Sequence, residues 1–229
     1  MPDRPLLLGH RGARATRSVP ENTVASFDLA LQHGCDGFEF DVRCTRDGTA
    51  ILCHDSEVEK IEIAGAIRSE LPQLALLEEV AERYRERAFL DIELKVPGLE
   101  DRVIAALGRH IPVRGFVVSS FFPAILLELR SRSASIPLGL IADRRHELVR
   151  WKDLPVQWVI PHYRLTTKEL IGEIHSAGKK AGVWTVNEPE AMRRFADWGA
   201  DAIISDNTQL LVATLNNREA GSGSRASEP

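Results

Sequence analysis

Along the chain, short apolar runs alternate with longer stretches in which apolar residues recur at helical spacing. Leu6 to Gly9 reads as a strand. Thr23 to His33 reads as a helix, with Asn22 as its N-cap and Gly34 as the glycine that stops it. Gly37 to Arg43 is a second strand. Thr45 to Leu52 then carries Asp47-Gly48 between extended segments, which signals a hairpin. A helix over Leu74 to Arg87 follows.

From there the alternation is regular. Strand Phe89 to Val96 precedes helix Leu99 to Arg109, and strand Gly115 to Ser120 precedes helix Ala124 to Arg132. Strand Pro137 to Ala142 precedes a charged helix around Arg145 to Arg150. Strand Trp158 to Pro161 precedes helix Lys168 to Ala177, and strand Lys180 to Val186 precedes helix Pro189 to Trp198. Strand Asp201 to Asp206 precedes a last helix from about Thr208 to Leu215. Eight strands alternating with helices predict the α/β class and a closed parallel barrel, with an open doubly wound sheet as the main alternative. No Gly-x-Gly-x-x-Gly follows the first strand, which argues against a dinucleotide site. One domain over residues 1–215 is expected, then a polar, disordered Gly/Ser-rich tail over 216–229.

One strand breaks the simple pattern. In Phe38-Glu39-Phe40-Asp41-Val42 the phenylalanines and valine share one face, while Glu39, Asp41 and Arg43 share the other. Two carboxylates side by side repel each other. In a parallel barrel, chemistry gathers at the C-terminal strand ends. The third barrel strand brings Asp91, Glu93 and Lys95 there on one face. Glu39, Asp41 and Glu93 thus form a candidate three-carboxylate cluster, and hard oxygen ligands of that kind suit one divalent cation, Mg²⁺, Ca²⁺ or Mn²⁺, better than zinc. The competing explanation is charge balance by Arg11, Arg43 and Lys95; a third acid and two nearby histidines tip the choice toward metal.

His10 and His54 end extended segments flanking the acids. Imidazole titrates near neutrality, so one ring can take a proton from a nucleophile while the other gives one to a leaving alkoxide, as hydrolysis of a diester requires. Arg11 and Lys95 can stabilise the negative oxygens of a phosphate. The other five histidines, His110 and His146 among them, fall in helical or loop contexts.

Composition adds exclusions. The chain has 229 residues, 44% hydrophobic and 27% charged, which suffices for a well-buried core. A net charge of -4 without a basic, aromatic-interleaved stripe excludes nucleic acid as the expected partner. Cys35, Cys44 and Cys53 are too widely spaced for a zinc knuckle and read as reduced thiols of a cytoplasmic protein. No signal-peptide core or membrane-spanning run is expected, and no basic amphipathic helix suggests membrane docking. Pro123, Trp151 and Phe195 read as helix-capping residues rather than an interface, and the pattern leaves the oligomeric state open.

His10-Arg11-Gly12, Pro20-Glu21-Asn22-Thr23, Glu39-Phe40-Asp41, His54-Asp55, Glu93-Leu94-Lys95 and Trp184-Thr185-Val186-Asn187, in this order and spacing, resemble the glycerophosphodiester phosphodiesterases from about Leu7 to about Leu211. The resemblance implies a (β/α)8 TIM barrel, one divalent cation, and hydrolysis of glycerophosphodiesters to sn-glycerol 3-phosphate and an alcohol. It implies Glu39, Asp41 and Glu93 as metal ligands, His10 and His54 as the acid/base pair, Arg11 and Lys95 as phosphate contacts and Trp184 as a pocket-lining aromatic. His10 is assigned as base and His54 as acid, a direction the residues leave open. Two departures stand out. The family usually carries Arg-Thr-Thr and a long insertion after its His-Asp pair, where this chain has the short segment Ser56 to Leu74, so a more open site is expected. Asn207-Thr208 replaces the Arg-Pro that often follows Ser-Asp. A lysophospholipase D on the same chemistry, a metal-dependent sugar-phosphate isomerase and a non-enzymatic phosphate-binding barrel are the rival readings.

Overall fold

The structure, a computed structural model, describes residues 4–221. Eight parallel strands close into a barrel: β1 (Leu6–His10), β2 (Gly37–Cys44), β6 (Phe89–Leu94), β7 (Phe116–Ser120), β8 (Leu138–Ala142), β9 (Trp158–Pro161), β10 (Lys180–Val183) and β11 (Ala202–Ser205). Each pairs with the next, and β11 pairs back to β1 with Leu6 opposite Ala202, so no barrel edge is left open. The helices are α1 (Val24–Gln32), α2 (Leu77–Tyr84), α3 (Glu100–Arg109), α4 (Pro123–Arg132), α5 (Arg145–Leu148), α6 (Lys168–Ser176), α7 (Pro189–Asp197) and α8 (Thr208–Gly221). The closed barrel, not the open sheet, is the architecture.

The two faces of β2 show why the strands sit as they do. Phe38, Phe40 and Val42 point outward and are fully buried beneath the helices. Phe27 of α1 stacks on Phe38 with ring centroids 4.1 Å apart, and Tyr84 of α2 meets Phe38 edge-on at 4.8 Å. Inside the barrel, away from the strand ends, Leu8, Phe89, Val117, Ile141, Trp158, Ile160, Ala202 and Ile204 form a separate apolar packing. The start of β2 needs glycine: a Cβ on Gly37 would lie 1.9 Å from the Phe89 carbonyl oxygen.

The expected hairpin forms, with β3 (Ala50–Leu52) antiparallel to the end of β2. The short segment after it folds as a small ribbon of β4 (Glu57–Val58) and β5 (Ile61–Glu62) with two 3₁₀ turns. It packs through Ile63, Ala66 and Leu71 onto Ile51.

Several expected boundaries move. The N-cap of α1 is Thr23, not Asn22: its Oγ1 accepts the Ser26 N–H at 3.2 Å, while Asn22 takes a left-handed φ of 57°. The long helix expected from Leu74 begins at Leu77 and ends at Tyr84. The charged helix at Arg145 lasts one turn before a 3₁₀ segment, Val149–Lys152. The strand expected to reach Val186 ends at Val183, beyond which Trp184 makes a single bridge to His162. The last helix passes Leu215 and runs to Gly221, so the expected polar tail is helical at its start; its remainder, 222–229, lies outside the described residues. Trp151 and Phe195 are buried, and Pro123 occupies the first turn of α4. No described helix is long and apolar enough to cross a membrane.

Candidate active site

The C-terminal ends of β1, β2 and β6 converge on one acidic centre. In-register pairing places Asp41 opposite Glu93 and Glu39 opposite His10. One carboxylate oxygen from each of Glu39, Asp41 and Glu93 lies within 4.8 Å of the others, and all three residues are buried. Arg11, His10 and Lys95 surround them, and His54 arrives from the loop after β3. The three expected acids are brought together, as are Arg11 and Lys95.

The charge balance is incomplete. Lys95 Nζ lies 2.7 Å from Glu93 Oε1 and 3.2 Å from Asp41 Oδ1. Arg11 Nε lies 3.2 Å from Asp41 Oδ2. These are ion-pair distances, yet Arg11 Nε, Asp41 Oδ1 and Glu93 Oε1 lack hydrogen-bond alignment, and Glu39 Oε1 has neither kind of partner among the described residues. Arg43, expected as a third counter-charge, turns away and donates from Nε to the His54 carbonyl oxygen at 2.9 Å. Orphaned buried carboxylate oxygens are costly, and three of the six cluster oxygens, Glu39 Oε1, Asp41 Oδ1 and Glu93 Oε1, would gain from a cation. The oxygen-only donor set suits a hard divalent ion, so the residues present fit a metal.

The acids respond to this crowding differently. Burial and the Asp41, Glu93 and Asp91 charges push Glu39 well above the ordinary carboxyl range. Burial and Asp41 push Glu93 up to about 7, against the opposing pull of Lys95. Burial also raises Asp41, but the Lys95 and Arg11 charges and the Asn22 hydrogen bond outweigh it and hold Asp41 low. One carboxylate of the set is thus kept ionised by its neighbours while the other two resist ionisation until a cation compensates them.

His10 and His54 differ in setting. His10 is buried, its Nδ1 2.7 Å from Asp206 Oδ1 and its Nε2 3.9 Å from Glu39 Oε2. Burial lowers its pKa, and the Asp206 hydrogen bond only partly restores it. Asp206 itself is held well below the ordinary range: burial raises it, but its bonds to His10, Asn187 and Arg14 prevail. An ionised Asp206 accepts, so His10 carries its proton on Nδ1 and presents the Nε2 lone pair to the cluster. His54 is half-exposed at the rim, with Nδ1 2.7 Å from Asp55 Oδ1.

Local backbone serves this centre. Arg11 adopts a left-handed φ of 54° and Gly12 one of 82°. A Cβ on Gly12 would lie 2.4 Å from Ser26 Oγ, so α1 can pack this close only on a glycine. The turn lets the Arg11 N–H donate to Glu39 Oε2 at 2.9 Å. Trp184 closes the far side: its Nε1 donates to the Ile160 carbonyl at 3.0 Å, and Phe121 and His162 meet its ring edge-on at 5.4 and 5.2 Å. Between them lies a cavity of about 10 Å³ lined by His10, Glu39, Asp91, Glu93 and Trp184.

Several supporting residues were given no role at the site from sequence. Asn22 donates from Nδ2 to Asp41 Oδ2 at 2.9 Å and accepts the Asp41 N–H at 3.2 Å, which is why it does not cap α1. Glu21 accepts from Arg11 at 2.8 Å and from Arg14 at 2.6 Å. Asn187 donates to Asp206 Oδ2 at 2.7 Å. Asp91, deeper in the barrel, accepts from Ser119 Oγ at 2.5 Å, and burial pushes it up to about 7. The motif Pro20-Glu21-Asn22-Thr23 and the Ser205-Asp206 pair were the available signals, without roles attached.

Comparison with known proteins gives this arrangement a context. A sequence profile of the glycerophosphoryl diester phosphodiesterase family matches residues 10–103 and 80–210, almost the whole barrel. The chain belongs to that family. A glycerophosphodiester phosphodiesterase of Caldanaerobacter subterraneus subsp. tengcongensis is 27% identical over 238 residues, covering 90% of this chain and 96% of that one. In fold, the chain is similar to a glycerophosphoryl diester phosphodiesterase structure from Silicibacter pomeroyi, with a TM-score of 0.85, 24% identity and coverage of 96% and 95%. It is also similar to an Oleispira antarctica phosphodiesterase in complex with the product sn-glycerol-3-phosphate, with a TM-score of 0.80, 25% identity and coverage of 93% and 97%. Family membership makes this chain a phosphoric diester hydrolase.

Proposed function

We propose that the chain hydrolyses glycerophosphodiesters to sn-glycerol 3-phosphate and an alcohol, using His10 and His54 for proton transfer around a divalent-cation site. The observation that carries this is the buried cluster of Glu39, Asp41 and Glu93, with ligand atoms within 4.8 Å of one another and Glu39 Oε1 unpartnered among the described residues. A divalent cation held by these three residues would supply Lewis-acid polarisation of a phosphate oxygen and a template for the glycerol moiety.

The chain's own groups divide the rest of the work. Arg11, anchored by Glu21, presents a fork to the phosphate, and Lys95 adds a point charge. His10 Nε2 accepts the proton of the attacking hydroxyl as the new P–O bond forms; the attacker is water, or else the neighbouring glycerol hydroxyl, which gives a cyclic phosphate that a water molecule then opens to glycerol 3-phosphate. The bond to the leaving alcohol breaks, and His54 supplies the proton that its oxygen needs. Burial favours a neutral His10 ring, and the Asp206 bond holds its proton on Nδ1 so that Nε2 is free, the state a base requires. The half-exposed rim position of His54 lets it exchange protons with solvent between turnovers. Trp184 and Phe121 offer apolar faces against the carbon skeleton of the substrate.

The test is release of glycerol 3-phosphate from glycerophosphocholine by EDTA-treated protein, with Mg²⁺, Ca²⁺ or Mn²⁺ restored. Release that depends on added cation is expected. Full activity without cation would sink the metal role, and near-wild-type rates in both His10→Ala and His54→Ala would sink the proton-transfer roles.

A further inference from the structure

A cavity of about 400 Å³ opens at the C-terminal ends of β7 and β8, beside the acidic centre. Phe121 is the wall between the two. Its ring stands edge-on to Trp184 at 5.4 Å on one side, with Lys95 Nζ 5.7 Å from its centroid, and it lines the larger cavity on the other. A diester whose phosphate sits at Lys95 therefore has a path for one of its two arms past Phe121 into this space. The small cavity of about 10 Å³ that reaches into the barrel lumen between Glu39, Asp91 and Trp184 cannot hold that arm.

The lining is of mixed charge. Asp143 and Glu147 contribute carboxylates, Arg144 and Arg150 guanidiniums, and Phe121 and Phe122 aromatic faces. These surface charges make no close ion pair among the described residues. Arg144 approaches Asp143 only to 3.9 Å, and Glu147 approaches His146 only to 3.8 Å. The Arg150 side chain has no hydrogen-bond or ion-pair partner among the described residues. Some other surface arginines are closely paired, Arg132 with Asp101 at 2.8 Å and Arg109 with Glu78 at 2.7 Å.

We propose that this cavity is the subsite for the leaving alcohol, and that it selects an alcohol bearing both an ammonium and a carboxylate, as in the serine ester of glycerol phosphate. This rests on the phosphodiesterase reading. Asp143 and Glu147 take the ammonium, with the Phe121 and Phe122 faces against its carbon stem. Arg144 and Arg150 take the carboxylate, where a guanidinium fork matches a planar two-oxygen anion. Choline has no N–H to donate and leaves both guanidiniums without an anion. Ethanolamine satisfies the acids alone, and a neutral polyol satisfies neither charge type.

Glycerophosphoserine and glycerophosphoethanolamine differ only in that carboxylate, so they form the test pair. With Mg²⁺ present, kcat/KM for glycerol 3-phosphate release is expected to favour the serine ester by about tenfold, the worth of one charge-assisted contact. The serine-to-ethanolamine ratio should fall toward one in Arg144→Ala and in Arg150→Ala, and should invert in Arg150→Glu. Because both residues are surface-exposed, these variants are expected to fold, and equal thermal midpoints would verify it. A wild-type ratio near one, or a ratio unchanged across the variants, overturns the subsite while leaving the phosphodiesterase reading intact. Release from neither ester overturns that reading, and this inference with it.

Discussion

The outward and inward faces of β2 and β6 carry opposite kinds of energy on one backbone. Outward, Phe38, Phe40, Val42, Leu90, Ile92 and Leu94 are fully buried in the helix-facing core, with Phe38 held between the rings of Phe27 and Tyr84. Inward, the same strands present Glu39, Asp41, Asp91 and Glu93, four acids nearly as buried. Period-two alternation is what permits this: every residue that stabilises the layer beneath the helices is next to one that destabilises the lumen. The apolar face offsets the cost of holding like charges together, and the acids can then be placed for chemistry instead of stability.

The largest expected effect tests the outer face. Phe38→Ala should cost about 3–5 kcal/mol of unfolding free energy, because it opens a ring-sized void in a stacked cluster. Urea denaturation measures it. A loss below about 1 kcal/mol would mean that the outer face does not carry the strands.

The inner face should respond in the reverse sense. Glu39→Gln removes one like charge, so the metal-free variant should be more stable than metal-free wild type at pH 8, while kcat/KM falls about 10²- to 10³-fold if, as proposed, Glu39 is a ligand of the cation. A metal-free variant less stable than wild type would break the comparison, since Glu39 would then be a stabilising residue.

Cation and pH act on the same imbalance. Glu93 and Asp91 are each pushed up to about 7 and Glu39 well above its ordinary value, mainly by burial. Carboxyls raised in the folded state cost nothing at a pH below their unfolded values of about 4, and their full penalty is present above their folded values. Metal-free protein should therefore lose stability as pH rises from about 4 to about 7. His10, lowered by burial, acts in the opposite sense, one group against three. Divalent cation at about a hundred times its Kd should restore about 2.7 kcal/mol, or roughly 5–10 °C in Tm. Equal thermal midpoints at pH 5 and pH 7.5 without cation would show that the cluster is already neutralised within the protein.

How much of this was visible in sequence follows from range. The barrel was legible because each strand and helix is a local pattern, and Glu39, Asp41 and Glu93 because their faces follow from period two. Which acids meet which cations was not, since that depends on side-chain reach: Arg43 shares the face of Glu39 and Asp41 yet turns to the His54 carbonyl. Asn22 has the chemistry of a helix cap, and local rules put it there. Its left-handed backbone and its bonds to Asp41, on the strand beyond the helix, are tertiary facts that override them. Asp206 was visible only as half of a Ser-Asp pair, and nothing local ties it to His10, 196 residues away.

That last contact carries the smallest predicted effect and the finest discrimination. Asp206 Oδ1 accepts from His10 Nδ1 and so leaves Nε2 facing Glu39 with its lone pair free. Asp206→Asn keeps the size but offers an amide that can donate to Nδ1, which drives the proton to Nε2 and would disable the proposed base. We expect kcat to fall about 10- to 10²-fold with KM little changed, part of what a positioned general base contributes. Because Asp206 is held below its ordinary value, it also stabilises the fold above about pH 4, and that contribution fades as pH falls. The variant should thus be less stable at neutral pH and lose less on acidification. A purely structural Asp206 would produce the stability change alone. A drop in kcat that exceeds anything the stability change explains would place Asp206 in the proton path, as the residue that decides which nitrogen of His10 does the chemistry.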